Sequence, residues 1–513
     1  MPKLSKVTRA SLLIAFFFGV DKVLGILRLI VVTRQFKLTA EYSAFNIANN
    51  IPDLLFMLIS GGALAMAFIP VLTETLTIQG RAAAWDLFSR IANLAFLTTA
   101  GLAVVVAALA APIVRGQFGV APGFTYEQQN LVIQLMRLNL IATVIFSISG
   151  LVMAGLQANQ HFLLPAMAPI LYNLGQLFGA LVLAPAKGYV IGPVHLPAFG
   201  MGVQGLVYGV IIGAALHLLI QTPGLARYGF KWSPRIGLNT APVQQVLKLL
   251  GPRVITMLLI QLTFIVRDNL ASRLDSSAVS ALTLGWTIMQ IPETLIGTAI
   301  GIAILPTLSE LVARDEREAF QGTLQRATQV IVAITIPVAA VMMIGMRPLL
   351  ATVFGLDAAG TDLLLYVSRG FLIGLTGQCL KEVAVRSFYA RRDATTPVLT
   401  AAINLGLYIV LGVALFRRFG APGISLIDSL AFTTEAVLLL VLMNRKMSLH
   451  LAPQVALFRA LLAAAVGGAL VYLILLAPVS ARQPFIVAVL AMVVGGLAAL
   501  APIQKEVRLL LRL

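Results

Sequence analysis

The stretch Ser43–Glu74 constrains this chain more than any other. It reads SAFNIANNIPDLLFMLISGGALAMAFIPVLTE. It is long and apolar enough to cross a bilayer, yet Asn46, Asn49, Asn50 and Asp53 interrupt it at i, i+3, i+4 and i+7. A helix stacks those four on one stripe, which Ser43 extends by a turn. Polar groups at membrane depth are costly unless they face protein or a water-filled cavity. The spacing therefore predicts a helix with one side on a polar interior, or one tied to neighbours by interhelical hydrogen bonds.

A second copy follows about 240 residues later. Ile51-Pro52-Asp53 and Ile69-Pro70-Val71-Leu72-Thr73-Glu74 reappear as Ile291-Pro292-Glu293 and Leu305-Pro306-Thr307-Leu308-Ser309-Glu310. A second matched pair brackets Pro165 with Asn173-Leu174-Gly175, and Pro397 with Asn404-Leu405-Gly406, at an offset of 231–232. Duplicated helices with prolines, glycines and an acid in matching places mark a two-lobed transporter.

Only 11% of residues are charged, against 59% hydrophobic, where soluble chains carry about 25% charged. The fold class expected is an all-α integral membrane protein. Apolar runs of about 20 residues fall at 10–36, 45–72, 90–114, 129–157, 162–185, 201–223, 244–272, 278–308, 325–346, 362–389, 395–416, 421–443, 455–477 and 484–503. That is fourteen spans: two six-helix repeat lobes and an added C-terminal pair. The domains expected are residues 1–235, 236–450 and 451–513. The net charge of +17 sits in short loops, a pattern that fits topology signals and anionic headgroups rather than nucleic acid. Lys and Arg favour one set of loops roughly two to one, which predicts both termini in the cytoplasm. The single cysteine, Cys379, excludes a disulfide framework, and the four histidines show no ligand spacing. No nucleotide-binding loop and no catalytic cluster is present, so the chain reads as no enzyme and without a cofactor. A coupling ion, the membrane potential or downstream use of the cargo must then drive transport.

These features together resemble the MurJ/MviN lipid II flippases, within the multidrug/oligosaccharidyl-lipid/polysaccharide exporter superfamily. The carrying residues are Val23-Leu24-Gly25 with Arg28, Ile51-Pro52-Asp53, Ala67-Phe68-Ile69-Pro70, Pro165-Ala166 with Ala168-Pro169 and Asn173, Ile304-Leu305-Pro306 with Leu308-Ser309, and Phe388-Tyr389-Ala390-Arg391 with Asp393 and Thr396-Pro397-Val398. The resemblance implies a bacterial cytoplasmic membrane protein in wall synthesis and cell shape. Its cargo would be an undecaprenyl-pyrophosphate-linked wall precursor, flipped from inner to outer leaflet by alternating access. Membrane lipids and wall-synthesis enzymes are further partners. The chain departs from the family at Ser43, where an acid is usual, and at Phe56 and Thr287, where arginines are; Lys22 stands at an arginine position.

Asp21, Gly25 and Arg28 share a face of span 1, with Lys22 beside it; span 7 carries Arg267-Asp268; span 8 carries Gln290 with Glu293 flanking. If the lobes face each other, spans 1, 2, 7 and 8 line a cationic cleft. A pyrophosphate needs cations, and arginine supplies a bidentate fork. The substrate-binding set expected is Lys22, Arg28, Asn49, Asp53, Arg267, Gln290 and Glu293. The competing readings are export of another polyprenyl-linked oligosaccharide, cation-coupled drug export, which a cleft with as many bases as acids disfavours, and a transport-dead wall-synthesis scaffold. The last pair of spans, dense in small residues at Gly467-Gly468 and Gly495-Gly496, is expected to hold the polyprenyl tail in an apolar groove.

Overall fold

The computed structural model describes residues 6–61, 63–447, 454–478 and 482–510. Both chain ends and the expected boundary at 450/451 fall outside them. In chain order the helices are α1 (Lys6–Phe36), α2 (Ala40–Leu55), α3 (Ala63–Ile78), α4 (Arg81–Ala108), α5 (Ala110–Arg115), α6 (Tyr126–Ala158), α7 (Leu163–Phe178), α8 (Val203–Leu219), α9 (Thr222–Arg227) and α10 (Ala241–Ser272). A small antiparallel ladder, Val190↔His195 and Ile191↔Val194, precedes α8. Then come α11 (Ala278–Glu293), α12 (Ala299–Ala313), α13 (Arg317–Gly345), α14 (Arg347–Phe354), α15 (Ala358–Ile373), α16 (Leu375–Ala390), α17 (Thr395–Met447), α18 (Gln454–Leu476), α19 (Pro484–Ala499) and α20 (Gln504–Leu510).

The helices form two compact units, residues 1–273 and 274–513. α10 therefore belongs with the first unit, where it packs on α2, α3 and α4. Among the described residues nine helices are long and apolar enough to cross a membrane, or eleven if each bent pair counts as one. That tally covers the described residues alone and does not confirm the expected fourteen. The expected runs at 395–416 and 421–443 are the two helical stretches of α17, which meet at Gly420, whose backbone is non-helical (φ 62°, ψ −156°).

The duplication is written in the backbone. Pro52 and Pro292 lie near the ends of α2 and α11. Each lacks an N–H and its ring crowds the preceding turn, and each is followed by one π-helical turn, Phe56–Gly61 and Thr294–Thr298. The ends of α6 and α16 also match. Gln160 (φ 56°) and Arg392 (φ 60°) are both left-handed. His161 N donates to Leu156 O at 2.9 Å and Asp393 N to Phe388 O at 3.0 Å, the bond that closes a helix through a left-handed residue.

In the first unit, Phe68, Trp85 and Phe88 centre a core that Phe230 joins edge-on. In the second, α18 and α19 pack on α13 through small residues. A Cβ on Gly467 would meet Gly495 O at 2.8 Å, and Ala463 and Ala499 are buried against Ala333. Close helix approach consumes those residues, while Gly496 faces open space.

Candidate functional site

α1 meets α7 through its charged turns. Asp21 Oδ1 accepts from Asn173 Nδ2 at 2.8 Å, and Arg28 Nη1 donates to Gln176 Oε1 at 2.7 Å. Asn173 and Gln176 are one turn apart on α7, so both face α1. Gly175, on the other side of α7, has no room for a side chain against the backbone of Gly213; that close contact seats α7 on α8. Lys22 is exposed, its Nζ 4.9 Å from the Phe18 ring centroid. Asp53 on α2 is accessible although protein surrounds it closely, the setting of a side chain on a concave wall. Among the described residues it has no hydrogen-bond or ion-pair partner. The Tyr172 hydroxyl lies within electrostatic reach of both Arg28 and Asp53, so α1, α2 and α7 bring these groups to one neighbourhood.

The asparagine stripe is spent differently. Asn49 Nδ2 donates to Phe45 O at 3.0 Å and Asn49 Oδ1 accepts from Asn139 Nδ2 at 2.6 Å, tying α2 to α6. Asn50 Nδ2 donates to Asp268 Oδ2 at 2.8 Å, tying α2 to α10. Arg267 is 4% exposed, with Nε on Asp268 Oδ1 at 3.0 Å and its guanidinium 4.9 Å from the Phe264 centroid. Phe56 lies tilted against Phe146, with centroids 5.2 Å apart, and Phe146 meets Tyr172 edge-on. A cavity of about 190 Å³ opens below, lined by Phe18, Asp21, Gln157, Phe162, Pro165 and Pro169. The Pro165-Ala166 motif is thus part of its wall.

In the second unit Gln290 is exposed and Glu293 is 6% exposed. Glu293 accepts from Thr298 Oγ1 at 3.0 Å and Thr294 Oγ1 at 3.3 Å, both in the π-helical turn behind Pro292. Arg386 pairs with Glu382 at 2.6 Å. Glu435 accepts from Asn404 Nδ2 at 2.5 Å and stands 3.9 Å from Lys381 Nζ. Each acid named here already has an internal partner. Among the described residues no group of three or more His, Cys, Asp or Glu could hold a metal ion.

Sequence reasoning missed Gln176, Tyr172 and Asn139 as partners of the site. Polar residues at i and i+3 inside an apolar span, Asn173 and Gln176, were the available signal for the first.

The model of the lipid II flippase MurJ family matches residues 34–496. The chain belongs to that family. Its members are transporters, not enzymes, and the chain is a multi-pass membrane protein. The lipid II flippase MurJ of Burkholderia cenocepacia is 31% identical over 413 residues, covering 78% of this chain and 76% of that one. The probable lipid II flippase MurJ of Bdellovibrio bacteriovorus is 25% identical over 452 residues, covering 86% and 82%. A solved lipid II flippase MurJ in an inward closed conformation shares the fold, with TM-score 0.77 at 18% identity over 97% of this chain and 99% of that one. A multidrug resistance transporter of the MATE family in an inward-facing conformation is more distant, with TM-score 0.67 at 14% identity.

Proposed function

We propose that this protein flips lipid II from the inner to the outer leaflet of a bacterial cytoplasmic membrane, by alternating access, with both termini in the cytoplasm. The observation that carries this reading is the under-neutralised charge of the first unit, in a chain of this family. Lys22 is accessible, Arg28 spends one N–H on a neutral amide, and Asp53 has no partner among the described residues. An arginine fork with spare donors suits a pyrophosphate oxygen pair, and Lys22 adds a point charge. In this reading Lys22 and Arg28 hold the diphosphate. Asp53 meets donors of the sugar-peptide head. Asn49 and Arg267 shape the wall, and Gln290 and Glu293 are the binding residues of the second unit.

The duplicated halves 1–235 and 236–450 would be the moving lobes and 451–513 the addition that keeps an undecaprenyl tail in apolar surroundings. An inside-negative potential favours outward movement of two phosphate charges by about 2.3 kcal/mol per charge per 100 mV. Wall-synthesis enzymes would draw on the product. The test is complementation in a bacterium depleted of its own wall-precursor flippase. Growth and normal shape on expression are expected. Lysis despite membrane-inserted protein would overturn the reading.

A further inference from the structure

The segment 228–240 joins α9 to α10 inside the first unit. From Lys231 to Thr240 none of its residues is buried, and Trp232 is 63% exposed. Apolar anchoring is confined to its ends. Tyr228 and Phe230 pack on the core around Trp85, and Val243, in the first turn of α10, is fully buried.

One stripe of α4 holds the middle. Asp86, Ser89, Arg90 and Asn93 fall at i, i+3, i+4 and i+7 and so share a face. Asn93 is saturated. Its Nδ2 donates to Ser233 O at 2.7 Å and Arg235 O at 2.9 Å, and its Oδ1 accepts from Trp232 Nε1 at 2.8 Å. Ser89 Oγ accepts from Ser233 N at 3.3 Å, and Asp86 Oδ1 accepts from Ser233 Oγ at 3.5 Å. Left-handed glycines, Gly229 (φ 66°) and Gly237 (φ 60°), stand at either end of the bonded run. A side chain on Gly237 would strike the Arg90 guanidinium.

A segment held by polar bonds, with no buried side chain of its own and only Ser89 fully buried among its α4 partners, opens at low cost where water replaces the bonds. The helix it leads into is anchored at its start by Val243 and Val246, both fully buried in the first unit's core. From Leu247 to Val266, none of the α10 side chains described is buried. Its far end is fastened by Asn50 to Asp268 and by Asn269 Nδ2 to Gly119 O at 2.5 Å. We propose that residues 231–240 form a releasable strap, latched on α4 by Asn93, and that the strap leaves α4 during transport so that α10 can tilt beyond its Val243–Val246 anchor. This rests on the transport reading above.

The test uses the full chain, whose one native cysteine, Cys379, is fully buried. Asp86→Cys with Ser233→Cys places two thiols where side chains already meet. Oxidation of the pair is expected to slow lipid II flipping in liposomes at least tenfold, with recovery on reduction and no effect on either single variant. Cross-linked protein that flips at the reduced rate overturns the proposal. A second measurement does not depend on transport. Spin labels at Ala82→Cys and Arg235→Cys are expected to give two distance populations, the longer one growing with Asn93→Ala. A single distance that Asn93→Ala leaves unchanged overturns the strap. If the unsubstituted protein flips no lipid II, the transport reading fails, and the label distances still decide the strap.

Discussion

Asn173 and Asn404 occupy matching places in the duplicated halves, yet they serve carboxylates on different elements. Asn173 reaches Asp21 on α1, the first helix of its unit. Asn404 reaches Glu435, on the helical stretch of α17 beyond the break at Gly420. Glu435 has Lys381 as a second partner, and the Lys381 ammonium lies 4.5 Å from the Phe432 centroid. In the first unit Lys22 stays exposed and Arg28 faces a neutral amide. Duplication has kept where the polar side chains stand, and divergence has changed what they answer. The second unit neutralises its buried charge internally. The first keeps charge available to a ligand.

The largest effect expected is on stability in the second unit. Glu435→Ala takes the ion-pair partner from Lys381, whose side chain is 16% exposed, and the acceptor from the Asn404 amide, at about 3 kcal/mol. Asp21→Ala strands only a neutral amide, at about 1–3 kcal/mol. Thermal unfolding of the two purified variants reads the difference, and equal losses would break the comparison. Next comes Arg28→Ala. Losing a charge-assisted bond worth about 1.5–3 kcal/mol should lower lipid II flipping about 10- to 100-fold, with a loss of stability no larger than that of Asp21→Ala, since it too leaves one neutral amide, that of Gln176, without its partner. Arg28→Lys should fall between, because a point charge replaces a fork. Wild-type flipping by Arg28→Ala would remove the first unit's claim to the ligand.

A smaller effect is expected at the C-terminal pair. A side chain on Gly495 would press on Gly467 O at 2.7 Å, so Gly495→Val should cost about 1–3 kcal/mol. Gly496→Val, facing open space, should cost almost nothing. The smallest effect is one of pH, at the loop before α17. Burial pushes the Asp393 carboxyl up, but bonds from the Thr396 amide and hydroxyl and from the Lys446 ammonium outweigh it and bring it down to about 2. A carboxyl depressed in the folded state stabilises above its unfolded value of 3.8 and loses that contribution as pH falls toward 2. Unfolding temperature should therefore drop between pH 4 and 2 by less in Asp393→Asn than in the unsubstituted chain.

The all-helical membrane class, the proline-and-acid repeat and the polarity of α2 were legible in the residues, because period and composition carry them. The partners were not. Asn49 meets a residue 90 positions away and Asn50 one 218 away, and no local pattern encodes such pairing. Arg267 shows the limit clearly. Its depth in an apolar run marked it as functional, and its folded setting is a pair with the adjacent Asp268. The π-helical turns after Pro52 and Pro292 were likewise hidden, since a proline announces a disturbed helix without saying how the turn is repaired. The strap's only signal was the polar stripe Asp86, Ser89, Arg90 and Asn93 on the first half of α4.

Lipid II binding, followed by native mass spectrometry on two variants side by side, tests the asymmetry of the units most directly. Arg28→Ala should lose at least nine-tenths of the lipid II adduct formed by the unsubstituted protein. Lys381→Met should retain it while unfolding at lower temperature. Loss of the adduct in Lys381→Met with full binding by Arg28→Ala would contradict the account and move the cargo's head to the second unit.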